Sequence, residues 1–174
     1  MTIEYPWYDA INGKEELMQG DFIEECPLII PPLEIPTEVN EVEARINKYN
    51  VVVMSQSCDI VYKKLEFILV CPIWPLSNFE NSLLKSPKVS KEDLRKGNIS
   101  GYHLLNKCKI DGFKKDYSVV DFRSTHSVDF NFLVNLAQRK TKRLRLLPPY
   151  REHLSQAFAR FFMRVGLPID IPSF

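Results

Sequence analysis

The chain offers little for metal or redox chemistry. It has only three histidines, His103, His126 and His153. None stands at a zinc-finger spacing from Cys26, Cys58, Cys71 or Cys108, and no two cysteines form a C-x-x-C pair. Long apolar runs are also missing, since nothing approaches the ~20 consecutive residues that span a bilayer. No basic stretch followed by an apolar one marks a secretory leader; the amino terminus is acidic and broken by Pro6. A cytoplasmic location, no membrane contact, no cofactor and no resident metal are therefore expected. In that compartment thiols are reduced. Cys26, Cys71 and Cys108 lie in or beside strand-like runs, where a free thiol packs as a small hydrophobe.

Net charge is nearly absent as well, at +1, but the balance hides an asymmetry. Residues 1–45 hold eleven acidic side chains against Lys14 and Arg45, whereas residues 138–165 hold eight cations against Glu152 alone. An acidic flank and a basic face are the expected result, and basic faces meet phosphate backbones or acidic proteins. With 174 residues and ordinary composition, the chain is expected to form one domain spanning 1–174 with a core of its own.

What is present centres on Val51-Val52-Val53-Met54-Ser55-Gln56-Ser57-Cys58-Asp59. Its β-branched start reads as a buried strand, and Glu66 to Cys71 reads as its partner, ended by Pro72 and Pro75. Gln19-Gly20-Asp21 reads as a turn into a strand over Phe22 to Ile30, interrupted at Pro27. Asp9 to Leu17 is read as a short helix. Glu41 to Ile46 fits both periods, and a strand running on through Asn47 to Asn50 is favoured. Residues 76–100 look inserted; Ser90 is placed to cap a helical turn that Gly97 closes. Tyr102 to Ile110 and Tyr117 to Phe122 read as strands around an Asp111-Gly112 hairpin turn. Ser127-Val128-Asp129 opens a short helix. Pro149 is read as the first position of the clearest helix, 149–165, whose Leu154, Ala157, Phe158, Phe161, Phe162 and Val165 share a stripe. The fold class is therefore α+β: a small SH3-like β-barrel or strongly bent antiparallel sheet over about 19–123, with a carboxy-terminal amphipathic helix.

This order of parts resembles the MazF/PemK (Kid-like) toxin family. Gly20-Asp21-Phe22 is similar to that family's first marker and Val51-Val52-Val53-Met54-Ser55 to its second. Leu69-Val70-Cys71-Pro72-Ile73 is similar to the third. Ser118-Val119-Val120-Asp121-Phe122-Arg123 through Val128-Asp129 resembles the late strand and short helix. The resemblance implies an SH3-like barrel, often a homodimer, that in family members cuts single-stranded RNA without metal. The family's catalytic Arg would fall at Tyr49 or Asn50, and its catalytic Thr or Ser at Trp74, with Ser77 three residues on. Cleavage through a cyclic phosphate needs a base for the 2′-hydroxyl and a cation for the phosphorane. Neither side chain type stands at those positions.

Candidate site residues follow from residue chemistry. Cys58 with Asp59, completed by His103, could form a nucleophile with a base. Against this, an adjacent carboxylate raises a thiol's pKa, and the plainer reading is a polar turn held by Ser57 and Asp59 with Cys58 packed inward. A mixed metal site from Cys58, Asp59, His103 and Asp121 has no recognisable ligand spacing. Arg123, with Arg45 or Lys48, Ser77 and His103, is the set a relocated ribonuclease would use. The run Arg139, Lys140, Lys142, Arg143 and Arg145 could follow a phosphate backbone or serve as an edge strand whose cations block pairing. Trp7 and Trp74 could present an aromatic surface to a partner. Together these favour a diverged, non-catalytic MazF/PemK-like module working through protein contacts, an accessory part of a bacterial toxin–antitoxin or CRISPR-type defence system. The alternative is a metal-independent endoribonuclease acting on single-stranded RNA.

Overall fold

The computed structural model describes residues 5–34, 37, 41–78 and 90–163. The strands are β1 (Tyr8–Asn12), β2 (Phe22–Ile30), β3 (Arg45–Val53), β4 (Phe67–Pro75), β5 (Tyr102–Leu105), β6 (Ser118–Asp121), β7 (His126–Asp129) and β8 (Lys142–Leu146). Between them lie α1 (Ser57–Val61), α2 (Lys91–Arg95), a 3-10 turn (Phe122–Ser124), α3 (Phe130–Gln138) and α4 (Tyr150–Phe162).

The valines of β3 sit at the centre. Val51 and Val53 face one core cluster, and Val52 with Met54 faces the other. Because both faces are covered, the run is apolar at every position instead of alternating, as a fully buried strand should be. One cluster joins Val51, Val53, Ile68 and Val70 to Leu133 and Ala137 of α3. The other joins Val52, Cys71, Ile73, Val120 and Phe122 to Leu154 of α4, with Ala157, Phe158 and Phe161 packed against it.

The large sheet runs β2-β3-β4-β6-β5, all antiparallel, with β7 also on β4. β6 and β7 lie along the same edge of β4, pairing Ile73–Pro75 and Phe67–Val70 respectively, and the 3-10 turn bends the chain between them. A separate antiparallel pair joins β1 with β8, and the Asp21–Arg145 bridge brings it to the start of β2. The Gln19–Asp21 turn joins the two sheets: Gly20 N–H donates to the Val53 carbonyl, Val53 N–H to the Asp21 carbonyl, and Leu146 N–H to the Gly20 carbonyl. Gly20 has φ +85°, and a side chain there would press on Leu146 and Arg151 at 3.2 Å, so the turn needs glycine. Among the described residues the strands do not close into a barrel. The mixed helix and strand content, the antiparallel sheet and the final helix stand.

Several local expectations are corrected. Asp9–Leu17 is not a helix: Tyr8–Asn12 is a strand, because β8 supplies the ladder that Tyr8 and Ile11 need to reach the core. The break in β2 falls at Glu24-Glu25, where Glu25 has φ 54° and the register shifts, and Pro27 stays in the ladder opposite Lys48. β4 does not stop at Pro72; it exchanges its partner from β3 to β6 there and runs on to Pro75. Residues 41–44 are outside any strand, while Asn47 to Asn50 belong to β3 as expected. Of the expected 102–110 strand only Tyr102–Leu105 forms, and the Asp111-Gly112 turn is flanked by the single Cys108–Lys115 bridge. Pro149 caps α4 instead of opening it. The Ser90 cap is present, with a reciprocal bond to Asp93. Val165 lies outside the described residues, as do residues 79–89 of the stretch read as an insertion.

Candidate functional site

The ladder between β3 and β4 ends at the Val51–Pro72 pair. Beyond it, β3 continues with β2 and β4 continues with β6, so the strands part. The gap is a cleft of about 500 Å3 between Asn50, Ile73, Ser77 and the 112–118 loop, with Phe22 and Glu24 on the β2 side. Leu76 N–H donates to the Tyr117 carbonyl at 2.9 Å, which holds that loop across the opening. Asn50 uses its side-chain carbonyl to accept from Glu25 N–H at 3.1 Å, satisfying the β2 bulge.

Charges at the cleft are balanced and mostly engaged. Lys115 reaches Glu24 at 3.9 Å and stands over the Phe22 ring at 5.2 Å. Lys114 pairs with Asp111 at 2.7 Å, and Asp116 with Lys107 at 2.9 Å. The Asp116 carboxyl is held below its usual range chiefly by the Lys107 hydrogen bond, and Lys107 is correspondingly raised. These are exposed pairs, worth little individually. They nonetheless leave the rim near neutrality, where a polyanion site would carry an excess of cations.

On the opposite side of the same junction, Tyr49 meets Trp74 edge to face at 5.8 Å between centroids, and His126 stacks on Tyr49 at 6.3 Å. His126 belongs to β7, paired with Val70. Trp74 is half-buried against this group.

The sequence-predicted residues do not converge on one centre. Cys58 and Asp59 sit in α1, a single turn whose Ser57 hydroxyl accepts from Gln19 N–H at 3.1 Å. Gln19 donates its side-chain amide to the Met54 carbonyl at 2.8 Å, so the two polar segments, 19–21 and 55–59, brace one another. Cys58 is exposed, contrary to the inward packing expected of it. Asp59 pairs loosely with Lys64 at 3.6 Å. His103 is on β5, stacked on Phe122 at 6.3 Å. Burial and the neighbouring His153 push its pKa down to about 4. Arg123 is engaged locally, bonded to Asp121 at 3.2 Å and lying 4.3 Å over the Tyr102 ring. Burial raises the Asp121 pKa in spite of the hydrogen bonds from Arg123 and Ser124. Among the described residues no three His, Cys, Asp or Glu side chains gather where a metal could bind them.

The basic run is the main correction. Arg143 and Arg145 are buried, and both bind the fully buried Asp21 carboxylate. Arg143 also donates to the Gly13, Glu15 and Glu16 carbonyls, and Arg145 to Glu16. These guanidiniums therefore fasten the 12–21 segment onto β8 and cannot meet a phosphate backbone or a partner. Gly13 fits beneath because a side chain there would collide with the Lys140 carbonyl. Arg139 and Lys142 remain exposed, and Lys140 is half-buried. Trp7 stacks on Tyr150 with centroids 3.7 Å apart, tying the strand β1 to α4, so it serves packing first. Sequence reasoning missed the cleft because Asn50, Ser77 and Lys115 are far apart in the chain and carry no motif.

No protein-family model matches the chain, and no curated protein matches it. No helix among the described residues is long and apolar enough to cross a membrane.

Proposed function

We propose that the protein is a diverged, non-catalytic module of MazF/PemK-like design that binds a protein segment in the cleft between β3 and β4. The observation that carries this reading is the Tyr49–Trp74 contact. By the resemblance, these positions would hold the catalytic Arg and the catalytic Thr or Ser. Two packed aromatic rings supply neither a base for a 2′-hydroxyl nor a cation for a phosphorane.

The neighbouring cleft supports binding in place of cleavage. Asn50 and Ser77 offer amide and hydroxyl groups, Phe22 and Ile73 an apolar floor, and the paired Lys and Asp or Glu side chains a neutral rim. Such a lining suits a mixed peptide surface, whereas an RNA groove needs unpaired cations and stacking faces. The antiparallel sheet with the separate β1–β8 pair is compatible with a diverged SH3-like architecture. An accessory role in a toxin–antitoxin or CRISPR-type defence assembly fits a module of this kind.

Affinity capture from native host cells tests the proposal. The wild-type chain should return a stoichiometric protein partner. Ser77→Arg with Lys114→Glu, both on exposed positions of the cleft, should lose that partner, while Lys64→Gln in the loop after α1 keeps it. A partner that tolerates both cleft substitutions would place the interface elsewhere. Charge reversal at Arg143 or Arg145 would not be informative, because it would unpair a buried carboxylate.

A further inference from the structure

A second hollow, distinct from the β3–β4 cleft, lies between β5, the 96–100 turn after α2, and the exposed side of α4. It has a volume of about 410 Å3. That is within the usual span of small-ligand sites, ~300–1,000 Å3. Its lining brings together Lys96, His103, His153, Gln156 and Arg160, and contains no carboxylate. Three separate pieces of chain supply these groups, so the grouping is a product of the fold and is invisible in sequence. The contrast with the neutral cleft is chemical: here two permanent cations and two imidazoles face one space.

The two imidazoles also rest on aromatic rings. His103 is stacked on Phe122, and His153 meets the Tyr150 ring edge-on at 6.2 Å. His153 is near enough to act electrostatically on His103, which burial keeps neutral at physiological pH. A neutral imidazole still offers one N–H, so His103 can donate a hydrogen bond without adding charge. Lys96 bridges to Glu92 at 3.3 Å on the solvent side of α2. Exposed pairs of that type are weak, and a dianion in the hollow would compete well for the ammonium. Gln156 adds an uncharged donor from the middle of α4.

We propose that this hollow is a binding site for a phosphoryl dianion, with Arg160 and Lys96 neutralising its charge and His103, His153 and Gln156 donating to its oxygens. Room beyond the phosphoryl group is enough for a nucleoside-sized substituent, and the ligand is either free phosphate or a phosphorylated small molecule.

Histidine side-chain NMR at neutral pH tests the site, because the chain carries only three imidazoles and His126 lies on β7 against Tyr49, away from the hollow. Titration with inorganic phosphate, and separately with a nucleoside 5′-monophosphate, should shift His103 and His153 saturably and leave His126 still. Tighter binding of the nucleoside monophosphate assigns the site to a phosphorylated small molecule; equal binding assigns it to free phosphate. Arg160→Gln, at an exposed position, should weaken either probe about tenfold or more, as expected for one charged hydrogen bond. Equal response of all three histidines, no response at tens of millimolar phosphate, or unchanged affinity in Arg160→Gln would overturn the assignment.

Discussion

Tyr49 and Trp74 meet edge to face, with ring planes 86° apart and centroids 5.8 Å apart. The contact bridges β3 and β4 just past the last rung of their ladder, at Val51–Pro72, and helps set how far the strands part. A double-mutant cycle with Tyr49→Leu and Trp74→Leu should give a coupling of about 0.5–1.5 kcal/mol in urea unfolding, typical of an aromatic pair. Additive single effects would mean that the rings merely lie near one another.

Asp21 holds two buried guanidiniums at once, those of Arg143 and Arg145. Such a cluster is costly to assemble but more costly to break, because the remaining charges stay buried without a counter-ion. Asp21→Asn should therefore lose about 3–5 kcal/mol of stability. Arg139→Gln, at an exposed position of the same run, should stay within about 0.5 kcal/mol of wild type. Urea midpoints of the two variants measure the difference between a structural and a surface arginine.

His103 gives the fold an acid-sensitive group. Its folded pKa is pushed down to about 4, mainly by burial, from an ordinary value near 6.5. Between those values the unfolded chain binds the proton that the folded chain refuses, so the unfolded state gains as pH falls. The contribution of His103 is fully present above about pH 6.5, declines toward about pH 4 and is constant below it. Stability measured across that window should fall less steeply in His103→Gln than in wild type. Identical slopes would show that His103 is not shielded from water.

The cysteines should divide by accessibility. Burial pushes the Cys26 and Cys71 thiols up to about 11, and Cys108 is also buried, whereas Cys58 is exposed on α1. A thiol reagent should label one cysteine in the native protein and all four after unfolding. Loss of the fast-reacting thiol in Cys58→Ser identifies it.

Much of the framework is legible in local residue patterns. The Val51–Val53 run, the Gly20 turn, the Ser90–Asp93 cap and the apolar stripe of the last helix each announce themselves within a few residues. What sequence hides depends on pairing across distance. Asp9 to Leu17 reads as a short helix, but Tyr8–Asn12 becomes a strand because β8 lies beside it. Arg143 and Arg145 look like surface cations until Asp21, more than a hundred residues earlier, is brought to them. The Cys58-Asp59 pair draws attention as chemistry, yet its surroundings are bracing contacts from Gln19 and Ser57. The two hollows are assembled from residues that share no motif, so neither could be read ahead of the fold.

Cleavage of RNA tests the central claim most directly. Purified wild-type protein, incubated for hours in EDTA with mixed-sequence single-stranded RNA, should leave the RNA intact. A Tyr49→Arg, Trp74→Thr variant provides the comparison at the positions where the resemblance places the catalytic pair. Cutting by the wild-type protein that Ser77→Ala or His103→Ala abolishes would contradict a binding module and establish an endoribonuclease with relocated groups.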